Sequence, residues 1–177
     1  VPLLSSGGQG YNLPIISALV VYTGTAAHQI LQTNKTTLSS TPAATMFKQL
    51  VTFLDPKGKF TLINAMVNQL RYPKTHTYYF RCMLLIMFAE CDEATQESIA
   101  RVLLERLICN RPHPWGLLVT FIELIKNPVY GFWHRPFMRK VPEVERIFET
   151  VARSCLGHAA ADAAGLPRTE GGSDATA

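Results

Sequence analysis

Side chains that could bind a metal are scattered along this sequence. No histidine is followed by another histidine or by a cysteine three or four residues later, and no two cysteines form a C-x-x-C pair. Metal sites need such spacing because several ligands must converge on one ion. We therefore predict no metal, no cofactor and thiols that stay reduced. The residues concerned are His28, His76, His113, His134, His158, Cys82, Cys91, Cys109 and Cys155.

His113 is the histidine best placed for chemistry, because it lies between Pro112 and Pro114, which restrict the backbone of a turn. As a functional residue it would be a catalytic base; as a structural residue it would hydrogen-bond within the turn. No nucleophile neighbours it, which favours the structural interpretation. The sequence also lacks a nucleophile elbow, a phosphate loop and a dinucleotide fingerprint. We therefore expect no enzyme activity.

Arg111, directly before this turn, also allows two interpretations. It could bind an anion at the start of the helix that follows Pro114. It could instead form a bidentate ion pair with a helix carboxylate, either Glu105 or Glu123. We favour the ion pair.

The turn joins two segments, within Arg101 to Pro128, whose apolar residues recur at helical spacing. Each proline disfavours the helical conformation in the residue before it, so the first helix must end here. A connection this short makes the two helices antiparallel neighbours. We predict a structural keystone, in which a buried Trp115 ring would contribute about 3–5 kcal/mol. Its residues are Arg111, Pro112, His113, Pro114 and Trp115.

The whole pattern predicts an all-α fold of about seven helices, arranged as HEAT-like helical hairpins in an α-solenoid. We expect residues 1–10 to be a linker, residues 11–156 to form HEAT-like helices, and residues 157–177 to be a disordered tail. The expected helices start near Asn12, Pro42, Phe60, Thr75, Asp92, Pro114 and Pro142.

Composition narrows the functional classes. The 177 residues are 47% hydrophobic and 17% charged, with a formal net charge of +4. Acidic and basic residues interleave, whereas a dedicated nucleic-acid binder would show a denser basic stripe. The longest apolar block lies between Arg81 and Glu90, so we expect no membrane span. The chain starts without Met or a basic leader, and we expect it to be a piece of a longer protein without a signal peptide.

Aromatic residues at the ends of the predicted hairpins are the candidates for a partner-binding surface. The Leu, Ile, Val and Met stripes are buried where helices stack on one another. The aromatic residues in the turns are therefore the large apolar groups that remain for partners. For the group after the sixth helix, a plug that covers the end of the helix stack is the alternative. The candidates are Tyr11, Tyr22, Tyr72, Tyr78, Tyr79, Phe132, Trp133, Arg135 and Phe137.

Several segments resemble the C-terminal homology region of Not-one, the scaffold subunit of the CCR-NOT mRNA deadenylase complex. The resemblance covers about residues 11–155 and is most specific across the Arg101–Pro128 hairpin. The other similar segments are Asn68 to Pro73, His76-Thr77, Phe132-Trp133, Val151 to Cys155 and the opening from Tyr11 to Thr25.

This resemblance implies a non-catalytic HEAT-like scaffold for mRNA deadenylation, decay and translational repression. It also implies that residues 11–156 are the C-terminal part of a larger HEAT-like scaffold domain. It implies docking of the Not-two and Not-three/five subunits and of Nanos-like repressor peptides, with RNA bound only indirectly. It implies no small-molecule ligand and no membrane, and a cytoplasmic location in mRNA-processing bodies, with the nucleus as a second site. A helical-repeat RNA-binding module is the alternative, favoured by the pI near 9.0 and by the aromatics.

Overall fold

Eight α-helices make up most of the structure, a computed structural model that describes residues 5–6, 10–33, 37–110, 112–140 and 142–156. Short 3-10 turns lie at Leu38–Ser40, Pro128–Tyr130 and Phe132–His134. The all-α prediction is confirmed. The helices are α1 (Leu13–Thr33), α2 (Pro42–Phe53), α3 (Pro56–Asn68), α4 (Thr77–Glu90), α5 (Glu93–Cys109), α6 (Trp115–Lys126), α7 (Pro136–Arg139) and α8 (Pro142–Leu156).

Side-chain caps fix several helix starts. The Oδ1 atom of Asn12 accepts a hydrogen bond from the backbone amide of Ile15 at 3.1 Å. The Oδ1 atom of Asp92 accepts one from the backbone amide of Thr95 at 3.3 Å. Asp55 in the same way accepts from the amide of Gly58 at 2.7 Å. The expected start of the third helix near Phe60 is therefore too late in the chain. An acidic cap followed by proline starts a helix, and α3 begins there.

The start of α4 also differs from the prediction. We expected Thr75 to cap this helix, but His76 occupies the cap position and its side chain makes no capping bond. Instead the Oγ1 atom of Thr77 accepts a hydrogen bond from the Lys74 amide at 2.9 Å. The hydroxyl of the first helical residue thus binds the loop that precedes α4.

Helix α4 is the centre of the packing. It contacts α1, α3, α5 and α6. Its buried side chains include Tyr79, Phe80, Met83 and Phe88. Phe80 meets three other rings edge-on, with centroid distances of 5.3 Å to Tyr79, 5.6 Å to His76 and 6.4 Å to Phe47. An apolar residue on every face is expected for a helix surrounded by others.

Helix α1 corrects one expectation about membranes. Its 21 residues, Leu13–Thr33, are long and apolar enough to cross a membrane by length and composition alone. The prediction of no membrane span was based on the apolar block between Arg81 and Glu90, and it overlooked this helix. In the fold, α1 buries Ile16, Val20, Gly24 and Ala27 and contacts α2, α3 and α4. One face of α1 therefore packs against the other helices, whereas most of its residues are not buried.

The two ends of the predicted domain are only partly described. Ser5–Ser6 pairs with Gly10–Tyr11 as a two-residue antiparallel ribbon, so part of the predicted linker has regular structure. The predicted tail, residues 157–177, lies outside the described residues. The stretch that follows α6, from Pro128 to Arg139, contains two 3-10 turns and the single turn of α7.

Candidate functional site

The turn between α5 and α6 does not bury its tryptophan. Trp115 is 73% exposed, whereas Gly116 beside it is buried. A Cβ atom placed on Gly116 would lie 2.5 Å from the carbonyl oxygen of Leu70. The close contact between this turn and the end of α3 is therefore made by glycine. The expectation of a buried Trp115 is wrong, because Trp115 lies on the opposite face of α6 from Leu117 and Phe121.

His113 makes a hydrogen bond inside the turn. Its Nδ1 atom lies 3.1 Å from the carbonyl oxygen of Asn110, and the side-chain amide of Asn110 donates to the Arg106 carbonyl at 2.7 Å. These bonds satisfy groups at the end of α5, which fits the structural interpretation of His113.

The predicted partner pairs for Arg111 lie outside what can be described, because Arg111 itself is not among the described residues. Its two candidate carboxylates have other neighbours. Glu105 accepts from Nε of Arg101 at 3.0 Å, and Glu123 accepts from the Asn127 amide at 2.9 Å.

Trp115 forms one wall of an open groove between α6 and the connection from α3 to α4. The groove has a volume of about 270 Å³, and its lining also includes Tyr78, which is 66% exposed. Tyr72 is exposed at the adjoining shelf formed with Asn110, Pro112 and Pro114. We call this feature the aromatic groove. Its lining residues are Leu70, Arg71, Pro73, Lys74, Thr77, Tyr78, Arg81, Trp115 and Gly116.

Hydrogen bonds fix the connection that forms one side of the aromatic groove. Oγ1 of Thr77 lies 3.3 Å from the carbonyl oxygen of Gln69 and 3.2 Å from that of Tyr72. The ring of buried His76 lies 3.3 Å from the Gln69 side chain, and burial lowers its pKa. The loop is therefore tied to both flanking helices, which holds Tyr72 and Tyr78 in position.

The aromatic groove carries positive charge. Its lining includes three cations, Arg71, Lys74 and Arg81, and no acidic residue. The Arg71 guanidinium lies 5.5 Å from the centre of the Tyr72 ring. Arg81 only approaches Glu123, at 4.0 Å, and its buried Nε atom has no acceptor among the described residues. The groove thus combines apolar walls with groups that attract carboxylates.

Three of the predicted partner-binding residues are buried, which corrects their assignment. Tyr79 lies in the core beside Phe80, and burial raises its pKa. Phe132 and Phe137 are 2% and 5% exposed and pack against the ring of Phe88. None of the three can reach a partner in this structure. For Phe132 and Phe137 the alternative of a plug describes the observed packing.

The neighbours of Phe132 and Phe137 also make internal contacts. The indole Nε1 atom of Trp133 donates to the Ile125 carbonyl at 3.2 Å. Nε of Arg135 donates to the Tyr130 carbonyl at 2.9 Å, and its guanidinium lies 5.5 Å from the Phe88 ring centre. Both side chains are partly exposed, so they remain reachable at the edge of the plug.

The two tyrosines predicted near α1 have different surroundings. The Tyr11 hydroxyl donates to Asp55 at 2.7 Å, and its ring rests on Gly58. Tyr11 therefore ties the start of α1 to the start of α3. Tyr22 is largely exposed and lies outside the aromatic groove.

Sequence reasoning missed the role of Trp115 and of the three cations as groove residues. The signal was present for Trp115, because its position falls off the apolar stripe of α6 and marks an outward side chain. No local signal indicated that Arg71, Lys74 and Arg81 share one groove, since this depends on how two hairpins pack. No cluster of three or more possible metal ligands occurs within the described part of the chain, and Cys82, Cys91 and Cys109 carry free thiols.

Comparisons with known proteins show a consistent similarity. Residues 4–152 match the family model of "CCR4-Not complex component, Not1". The chain is 44% identical over 158 residues to the CCR4-NOT transcription complex subunit let-711 of Caenorhabditis elegans, covering 86% of this chain and 6% of that protein. The chain thus spans only a small part of the length of the curated relatives it matches.

Two solved structures share the fold. The NOT1 superfamily homology domain from Chaetomium thermophilum matches with a TM-score of 0.74 and 34% identity, covering 85% of this chain and 32% of that one. A Not1 C-terminal domain in complex with Not4 matches with a TM-score of 0.69 and 29% identity, covering 81% and 31%.

Proposed function

The chain belongs to the family of the CCR4-Not complex component Not1, and on that premise we propose that it acts as a non-catalytic scaffold module of the CCR4-Not complex. The module would dock the Not-two and Not-three/five subunits and short motifs of translational repressors such as Nanos. Its contribution would be to mRNA deadenylation, decay and translational repression, in cytoplasmic processing bodies and also in the nucleus.

The match over residues 4–152 carries this proposal, because it includes every helix that forms the aromatic groove. A Not1 C-terminal domain, of which this chain covers 31%, is solved in complex with Not4, and this supports a subunit-docking role. We include Not4 among the partners to be tested for this chain.

The structure supports docking with a surface of exposed aromatics. Interfaces are enriched in Trp, Tyr and Arg, and the anchors that contribute most lie in pockets. Trp115, Tyr78, Tyr72 and Arg71 combine these residue types at one end of the fold. Trp133 and Arg135 form a second, smaller exposed group, which we retain as a candidate contact.

A scaffold role does not need chemistry in the chain itself. His113 bonds to the Asn110 carbonyl, which suits a turn residue. We therefore propose that the purified chain does not shorten polyadenylated RNA, and that His113→Ala leaves any trace signal unchanged. A shortening rate that follows the chain through purification and disappears in His113→Ala would contradict the non-catalytic role.

Calorimetry with purified subunits tests the docking role. The whole 177-residue chain is titrated with the Not-two/Not-three heterodimer, with Not4 and with a Nanos-like peptide. We expect saturable binding of at least one of them. A folded chain that binds none of the three would contradict the proposal.

A further inference from the structure

The aromatic groove is accessible on its open side, and its occupant can be inferred from its chemistry. We propose that it takes a short acidic peptide that inserts one large apolar side chain between Trp115 and Tyr78, with flanking carboxylates paired to Arg71, Lys74 and Arg81. This inference rests on the proposed docking function only in taking the ligand to be a protein.

The size of the groove fits a single anchor. A volume of about 270 Å³ lies below the range of sites that enclose a drug-sized molecule or a cofactor. It suits one Phe, Leu or Met side chain with part of its backbone. The base of the groove is apolar, because it includes the buried side chain of Leu70. It is also closely packed, because the Leu70 carbonyl oxygen would lie 2.5 Å from a Cβ atom placed on Gly116. Anchors in such preformed pockets dominate peptide recognition.

The exposure of the two aromatic rings that line the groove indicates a surface where a partner can bind. Trp115 and Tyr78 each leave most of their surface in water, although both have rings that bury well. The helices behind them are already packed: α6 buries Leu117, Thr120 and Phe121 on its other face. The outward rings therefore add nothing to the core formed by the described residues, and they stay in water unless another segment of the protein or another molecule covers them.

Charge complementarity selects an acidic ligand. Arg71 and Lys74 form no ion pair within the described residues, and Arg81 approaches Glu123 at only 4.0 Å. Opposite charges stabilise a complex most where one side is free of competing partners. Acidic residues on both sides of the anchor would meet these cations at the rim.

RNA is the other ligand class that aromatics and cations can bind, since bases stack on rings while cations follow the phosphates. The layout favours a peptide. The three cations line one groove, and Arg71 is the one charged group among the described residues of the adjoining shelf, which is otherwise formed by Tyr72, Cys109, Asn110, Pro112 and Pro114. A strand of RNA would leave most of its phosphates without a partner there.

Selection from a displayed library of random peptides, each of roughly twelve residues, tests this inference on the whole 177-residue chain. We expect the enriched peptides to share one large apolar residue with Asp or Glu on both sides. Binding of a selected peptide should weaken about thirtyfold in Trp115→Ala and in the double variant Arg71→Glu plus Lys74→Glu. Replacing the peptide's acidic residues with amides should cause a similar loss.

Matched controls keep the test specific to the groove. Phe53→Ala removes an equally exposed ring from α2, and Lys126→Glu reverses an exposed charge on α6; both should bind the selected peptide like the wild type. Circular dichroism of every variant verifies that the helices are intact. Enriched peptides without acidic residues, or binding that survives both groove variants, would overturn the inference.

A single-stranded RNA of similar length provides the last arm. RNA binding that is lost in the same groove variants, with no acidic peptide enriched, would replace the peptide with RNA. Titration with the purified subunits separates the two levels of inference. Subunits that bind while no acidic peptide does would refute the groove's occupant alone, and the reverse result would refute only the subunit assignment.

Discussion

Gly24 of α1 lies directly against the ring of Phe80 in α4. A Cβ atom placed on Gly24 would overlap two ring carbons of Phe80. The ring cannot move aside easily, because it is fully buried and surrounded by the rings of Phe47, His76 and Tyr79. The glycine therefore sets how closely α1 approaches α4.

Gly24→Ala should destabilise the fold by about 1–3 kcal/mol, since overpacking a tight core costs this much. Helix propensity alone predicts the opposite sign, a gain of about 1 kcal/mol for Gly→Ala in a helix interior. Chemical denaturation measures the difference. Ala18→Gly, on the exposed face of the same helix, is the control and should show only the propensity effect. A stabilised Gly24→Ala variant would refute the steric argument.

The bond from Tyr11 to Asp55 should make stability depend on pH at the acidic end. This bond is the main cause of the lowered pKa of Asp55. A lowered folded-state pKa stabilises the fold above about pH 4, the ordinary range of Asp, and this contribution disappears as the pH falls through the folded-state value. The free energy of unfolding should therefore fall less on acidification in Tyr11→Phe than in the wild type, as measured from unfolding curves at several pH values. Tyr22→Phe, at an exposed ring, is the control; equal slopes for Tyr11→Phe and the wild type would count against the bond.

His76 should destabilise the fold when it gains a proton. Burial is the main cause of its lowered pKa, so the folded state favours the neutral ring. The resulting stability is present above the unfolded-state pKa of about 6.5 and is lost as the pH falls through the lower folded-state pKa. The melting temperature of the wild type should therefore fall as the pH is lowered below about 6.5. In His76→Gln the melting temperature should depend less on pH. An unchanged profile in this variant would show that another group titrates; His134→Gln, at an exposed position, is the comparison.

Trp115→Ala and Phe132→Ala should differ strongly in stability. Trp115 is exposed, and its loss should cost less than about 1 kcal/mol, as for most surface substitutions. Phe132 is buried among Phe88, Trp133 and Phe148, and its loss should cost about 3–5 kcal/mol. Urea denaturation compares them directly. Similar losses for the two variants would mean that Trp115 packs more than its exposure indicates.

The sequence predicts the helices well and the surface poorly. Periodic apolar residues and caps such as Asp92 locate α5 and α6 because both signals are local. Whether Tyr79 and Phe137 are buried depends on which neighbouring residues cover them, and the spacing of residues in the sequence does not reveal this. Tyr78 and Tyr79 are adjacent in sequence, yet one is exposed and the other fully buried. A helix turns 100° per residue, so only the direction of the core separates them.

The position of α4 among α1, α3, α5 and α6 has a consequence for how the protein opens. A helix enclosed by its neighbours cannot expose its backbone to water unless they separate from it. Amide hydrogens near Met83 and Leu84 should therefore exchange with deuterium only through unfolding of the whole domain. Those of α1, which buries a single narrow face, can exchange through local detachment. The fold thus contains a slow-exchanging centre and an edge that opens first.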